Sequence, residues 1–316
     1  MRQTHFLWVI SLWLLTTLFS SPSFAWNQLG HRVIAAIAYE HLTPAARKQV
    51  TEWLSHHPDY NRWTQTAQSE DVMGAVFLTA ATWPDEIKSA PGYQNDGEIP
   101  RDAASGQNIG FADMRMHKYW HYVDFGFSRD GTPTVAPPAV NAVTQITLFH
   151  QALSDPHASP ALKAYDLAWL IHVVGDIHQP MHAVSRFTQD ATEGDAGGNR
   201  VKLCASPCRN NLHSLWDDAL GHGKDAEAAI RTASRLERHS AESLGPIDPK
   251  AWGLESFKLA EEVAYQAPSI RERTHELAVP TEAYRQQVHA VAKERATLAG
   301  LRLAMMINAE VAASQH

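Results

Sequence analysis

The stretch from His172 to His182 reads His-Val-Val-Gly-Asp-Ile-His-Gln-Pro-Met-His. His172 and Asp176 stand four residues apart, a spacing that puts two helical side chains on one face, one turn apart. Pro180 ends that helix, because the residue before a proline is pushed out of the α region. His182 then enters from the turn that follows. Two imidazoles and a carboxylate converging on one small volume are the donors a borderline-soft cation such as zinc takes. A lone His–Asp pair at this spacing is more often a hydrogen-bonded pair than a metal site. The pair recurs, however, at His213 and Asp217. Two such pairs and His182 together favour metal.

The elements that must carry these residues are mostly helical. A helix is expected over Ala161–Ile177, and another over Asn211–Leu220. An amphipathic helix starts at His31 and runs to about Leu42. Thr43-Pro44 is an N-cap followed by proline at the first helical position, so a second helix runs to about Leu54. Ser69–Thr82 reads as a third, with Trp83-Pro84-Asp85-Glu86-Ile87-Lys88 at its end. Further helices are expected over Val140–Leu153, Asp225–Glu242, Ala251–Ala264 and Thr281–Ala313. Ala90–Arg115, Gly131–Pro138 and Thr188–Asn199 read as loops. Aromatic and β-branched Tyr119–Phe125 is the best strand candidate. No repeat or linker divides the chain, so the expected fold class is mainly α, one domain with a small β element.

Composition sets the limits. The chain has 316 residues, 44% hydrophobic and 19% charged, ample for a sizeable core. Its formal net charge of −7 offers no basic surface for tight duplex binding. Residues 1–25 read as a secretory signal: Arg2 supplies the charge, Phe6–Phe19 the apolar run, and Ser23-Phe24-Ala25 the cleavage site. Cleavage after Ala25 would start the mature domain, 26–316, at Trp26. No later stretch reads as long and apolar enough to span a bilayer, so no membrane anchor is expected after processing. Cys204 and Cys208 are the only two cysteines. In an exported chain they are expected to form one local disulfide; a Cys-x3-Cys metal site is the weaker alternative.

Taken in order, six features resemble one family. They are Trp26 followed five residues later by His31, Trp83-Pro84-Asp85, His121-Tyr122, the His172–His182 block, Gly197-Gly198-Asn199, and the His213/Asp217 pair. Together they resemble the zinc-dependent S1/P1 nuclease family, which cuts single-stranded DNA and RNA. The resemblance implies a largely helical zinc phospholipase C/nuclease-like fold holding three zinc ions. The first would be held by Asp85, His121, His172 and Asp176, and the second by His182, His213 and Asp217. The third would take the free amine and carbonyl oxygen of Trp26, with His31 and the bridging carboxylate of Asp176. Pro84 departs slightly from the family, which commonly has a small residue there.

The chemistry implied is phosphodiester hydrolysis. Water on zinc ionises near ~7, so hydroxide between the first and third ions would attack, with the second ion on the phosphate and leaving oxygen. The products would be 5′-phosphates, with 3′-nucleotides as further substrates. No obligate protein partner is implied. By the same resemblance Tyr122 and Asp124 would bind a nucleobase, Lys88 a phosphate, and Asn199 would orient phosphate or a ligand. Tyr122 as a core residue, Lys88 as a solvated cation and Asn199 as a turn residue are the plainer alternatives. His178 is expected to be structural or to support a ligand. A zinc phospholipase C, which shares the fold and the cluster, is the nearest rival; a non-catalytic zinc-binding protein is another.

Overall fold

The computed structural model describes residues 26–67, 69–106, 113–204, 210–236, 244–267, 270 and 278–313. The signal segment and Cys208, hence the expected Cys204–Cys208 bridge, lie outside the described residues.

One helix forms the middle of the molecule. α7 (Pro160–Ile177) starts at the Ser159 N-cap, with proline in its first turn, and every residue from Ala164 to Ile177 is buried. A helix apolar on all sides has to lie inside the protein. His172 and Asp176 therefore sit where a charge is costly unless it is matched. Around α7 pack α1 (Gln28–Glu40), α2 (Pro44–Leu54), α4 (Val72–Ala80), the short α5 (Trp83–Glu86) and α6 (Ala142–Ser154). α3 (Tyr60–Thr66) leans on α4. The remaining helices are α8 (Leu212–Asp217), α9 (Ala226–Leu236), α10 (Pro249–Leu259), continued as a π turn over Ala260–Ala264, and α11 (Glu282–Ala313).

Gly175 lets α1 and α7 touch. A Cβ there would lie 3.2 Å from His31 Nδ1 and 3.3 Å from Ile34 Cδ1. The contact brings the first turn of α1, with His31, against the chemistry-bearing end of α7. α11 locks that end from behind. Arg295 donates to the carbonyl of His178 (3.2 Å), and Arg302 to His178 Nε2 (3.0 Å); both also pair with Glu255. His178 is thereby structural.

Several expectations are corrected. The strand expected over Tyr119–Phe125 is a 3-10 turn, Lys118–Trp120, followed by irregular chain; β1 begins at Phe125 and runs to Ser128. Tyr119, Trp120 and Val123 are all buried instead of alternating, because helices cover that segment on more than one side. β1 pairs in parallel with β2 (Val184–Phe187), an element the sequence reading leaves as chain between His182 and the loop. The first helix begins three residues before His31. The Ser69–Thr82 helix starts only at Val72, where Asp71 caps Gly74 N–H at 2.9 Å. α3 carries no signal in the sequence; its only buried side chain is Trp63, too little for a periodic pattern. The Asp225–Glu242 helix is seen as Ala226–Leu236, and residues 237–243 lie outside the described set. α11 also overturns one expectation: by length and composition it could cross a bilayer. In this fold 61% of its apolar window is buried inside the protein.

Candidate metal centre

Asp176 is shared between two sets of imidazoles. Its Oδ1 lies 3.3 Å from His31 Nε2, while its Oδ2 lies 2.9 Å from His121 Nδ1 and 3.3 Å from His172 Nε2. Asp85 faces the same space, 3.7 Å from His172 Nε2 and 3.9 Å from both His31 Nε2 and His121 Nδ1. All five side chains are buried. A second group, His182, His213 and Asp217, is buried beside it; its ligand atoms, like those of the two groupings at Asp176 and Asp85, lie within 4.8 Å of one another. The groups are joined through one bond, His182 Nδ1 to the His121 carbonyl at 2.7 Å.

Three of the imidazoles have their tautomer set by the backbone. Nδ1 of His172, His182 and His213 donates to the carbonyls of Ala81, His121 and Gly197, each at 2.7 Å. A carbonyl only accepts, so each Nδ1 carries the proton and each Nε2 turns a lone pair inward. His182 and His213 hold two such nitrogens 3.0 Å apart. Burial, and then the His182 charge, push His213 down to about 3, and burial lowers His182, so neutral rings are favoured. Two facing lone pairs repel unless a cation lies between them. Neutral imidazole is also the form that ligates a metal.

At the other group the rings differ: burial lowers His31, whereas at His172 burial is outweighed by Asp176 and Asp85, which raise it. Burial works against the Asp176 carboxylate, yet His172, His121 and His31 hold it well below the ordinary range. Asp85 is likewise brought to about 2, with Lys88 and His172 outweighing burial. Burial and Lys88 push His121 down to about 3. His31 Nδ1 and Nε2, His121 Nε2 and Asp176 Oδ1 are buried without a partner of hydrogen-bond geometry among the described residues. Orphaned buried donors and acceptors are rare and call for an explanation. Imidazoles and carboxylates with no thiolate are a fitting set for a divalent metal ion.

Trp26 sits at the seam. Its side chain is fully buried, and its indole N–H donates to the carbonyl of Gly175, next to Asp176, at 3.0 Å. The following amide, Asn27 N–H, donates to the carbonyl of Asp217 at 3.2 Å. Residues 26 and 27 are thus tied to the backbone beside Asp176 and to that of Asp217.

The S1/P1 Nuclease family model matches residues 26–312. The chain belongs to the S1/P1 nuclease family. Among curated proteins it is similar to Endonuclease 3 of Arabidopsis thaliana, 27% identical over 72% of this chain and 63% of that protein. It is 24% identical to Nuclease S1 of Aspergillus oryzae, over 62% of this chain and 54% of that one. To Nuclease P1 of Penicillium citrinum it is 22% identical, over 70% and 72%. The matched region spans less than two thirds of the length of Endonuclease 3 and Nuclease S1.

The remaining candidate residues of this S1/P1 family member differ in what they touch. Lys88 is buried, with Nζ 2.7 Å from Asp85 Oδ1, so it is not a solvated surface cation. His121 caps the 3-10 turn and does not lie on a strand. Tyr122 is half-buried and its hydroxyl donates to the Glu98 carbonyl, which fixes the ring. Asp124 is half-buried near Asp195; burial and that second carboxylate push it up to about 7. Asn199 donates to the Ala196 carbonyl at 2.9 Å and accepts from Asn211 at 3.3 Å. Its loop acts on the centre through Gly197, whose carbonyl sets His213. Gly197 has φ +60, and a Cβ would come within 2.3 Å of the Met181 carbonyl, so glycine is required.

Gln179 was missed by the sequence reading. It is fully buried; its Nε2 donates to Asp217 Oδ1 and its Oε1 accepts Met181 N–H, both at 2.6 Å. Its place between His178 and Pro180 was the available signal. Gln179 aims Asp217, whose carboxyl burial otherwise raises well above the ordinary range. Replacing Gln179 by Leu should weaken metal binding by ~10–100-fold. Competition with a chromophoric chelator measures this, and an unchanged affinity would show that Asp217 needs no such support.

Proposed function

We propose that the mature chain is an exported zinc-dependent phosphodiesterase, periplasmic or secreted. It hydrolyses single-stranded DNA and RNA to 5′-phosphates and has 3′-nucleotidase activity at the same centre. The observation that carries this reading is the Asp176 carboxylate, one oxygen turned to His31 and the other to His121 and His172. A carboxylate placed that way suits two cations side by side, and His182, His213 and Asp217 suit a third. Asp85, His121, His172 and Asp176 would hold the first zinc, and the His182 group the second. The third would be held by His31, Asp176 and the amine and carbonyl of Trp26. Zinc bound there supplies charge neutralisation for a phosphodiester and water that ionises near ~7.

The chain's own groups position the substrate. Lys88 adds a buried positive charge beside Asp85, suited to a phosphate oxygen. The Tyr122 ring offers a stacking face, worth ~1–3 kcal/mol for any base. Asp124 accepts from a base N–H more strongly when ionised. Because its carboxyl is pushed up to about 7, it is mostly neutral below that pH and ionised above it. KM for a purine substrate should therefore fall as pH rises through about 7, beyond what the metal centre contributes. In Asp124→Asn that component should vanish; an identical KM profile in the variant would remove Asp124 from base recognition.

A base reaches Tyr122 only when unstacked, and a duplex must first be unpaired, which favours single strands. The test pairs metal analysis of the purified mature chain with a single-stranded RNA assay, with and without chelator. About three zinc ions per chain and activity abolished by chelator are expected. Release of diacylglycerol from phosphatidylcholine without RNA hydrolysis would instead support a phospholipase. Equal initial rates on single and double strands at one salt concentration would contradict the strand preference.

A further inference from the structure

A cavity of about 440 Å³ opens directly on Asp85 and is lined by Gln28, Arg32, Asp85, Glu86, Ser89 and Lys224. Arg32 follows His31 on α1. Adjacent helical residues point about 100° apart, so while His31 faces Asp176, Arg32 faces this cavity. Nε of Arg32 is buried with no hydrogen-bond partner among the described residues. The acidic groups whose charge reaches Arg32 are Glu86 and Asp225. Glu86 is already engaged, accepting from the Thr82 hydroxyl at 2.9 Å and pairing with Arg62 at 3.5 Å. Lys224, at the same rim, is exposed.

We propose that Arg32 and Lys224 form a subsite for one phosphate of a single-stranded polynucleotide, the phosphodiester flanking the one held at the metal centre. The proposal rests on the nuclease reading above and extends it. Arginine's planar fork suits two phosphate oxygens at once, and the lysine adds a mobile point charge. The subsite holds one phosphate and not a run of them. An adjoining cavity of about 880 Å³ shares Arg32, Glu86 and Lys224; beyond them its wall carries Glu40, Asp71, Asp225 and Glu227 against one further cation, Arg62, which is paired with Asp59 and Glu86. Asp85 and Glu86 line the subsite too, each beside a cation of its own, Lys88 and Arg62; past the Arg32–Lys224 pair carboxylates outnumber cations, and the favourable stretch ends.

The experiment compares two substrates, a dinucleoside monophosphate with only the scissile phosphate and a trinucleoside diphosphate with one more. In Arg32→Gln the ratio of kcat/KM, longer over shorter substrate, should fall about tenfold. The slope of log KM against log salt for the longer substrate should flatten by about 0.7, the increment expected when one cation no longer pairs with a single-strand phosphate. Lys224→Gln, an exposed change, should lower the ratio in the same direction, and Arg32→Lys should restore part of it. A structural role for Arg32 would lower both rates and leave the ratio alone. An unchanged ratio in Arg32→Gln, or in Lys224→Gln should the first variant fail to fold, overturns the subsite. A wild-type chain that cleaves neither substrate removes the nuclease reading and this proposal together; one that cleaves both while the ratio stays fixed removes the subsite alone.

Discussion

Asp176→Asn should lower kcat on single-stranded RNA by about a thousandfold or more and reduce the metal content of the purified chain. The side chains are nearly isosteric, so the loss would be electronic. Asparagine keeps one oxygen and replaces the other with an NH2 that only donates. In the native chain both oxygens are in use, one 3.3 Å from His31 and the other 2.9 Å from His121. Whichever way the amide turns, one of the two cation positions beside Asp176 would lose its anionic ligand. The carboxylate also balances charge where solvent screens it little, since Asp176 is fully buried. Circular dichroism separates loss of the centre from loss of the fold. Full metal content with kcat within tenfold of wild type would show that Asp176 is not a shared ligand.

The second large effect concerns the mature terminus. A chain carrying one extra Ala before Trp26 should lose activity by about a hundredfold or more, with less metal bound. Within a chain the nitrogen of residue 26 is an amide; only cleavage after Ala25 makes it an amine able to ligate. The free amine titrates near ~8, so binding a cation there has to displace a proton. The structure shows how firmly this residue is held. Trp26 is fully buried, tied by its ring to Gly175 and through its neighbour's amide to Asp217. Full activity of the extended chain would exclude Trp26 as a ligand and uncouple export processing from assembly of the centre.

Both predictions depend on residues whose legibility in the sequence differed. The pairs His172/Asp176 and His213/Asp217 were readable because a helical turn is a local rule: spacing four places two side chains together whatever the rest of the chain does. Proline at 180 set the entry of His182 for the same reason. His121 carried no such signal. It sits after a turn that begins at His117 with φ 43, and its aromatic neighbours suggested a strand that the packing of helices over Tyr119 and Trp120 prevents. It could be named only from the company it keeps in related chains. Gln179 was passed over because an uncharged amide inside a histidine-rich run looks like spacing until Asp217 is seen 2.6 Å away.

By itself, then, the order of residues determined the helical class, most of the candidate ligand residues and, through its resemblance, the family to which the chain belongs. The first two follow from short-range periodicity and from residue types, the third from six motifs in a shared order. Only tertiary structure decided how the donors share the work. The carbonyls of Ala81, His121 and Gly197 choose the tautomers of three histidines, and they come from 91, 61 and 16 positions away along the chain. The close approach at Gly175 decides that His31 reaches the far oxygen of Asp176. No local rule specifies such distances, because they are set by which buried faces pack together across the whole domain.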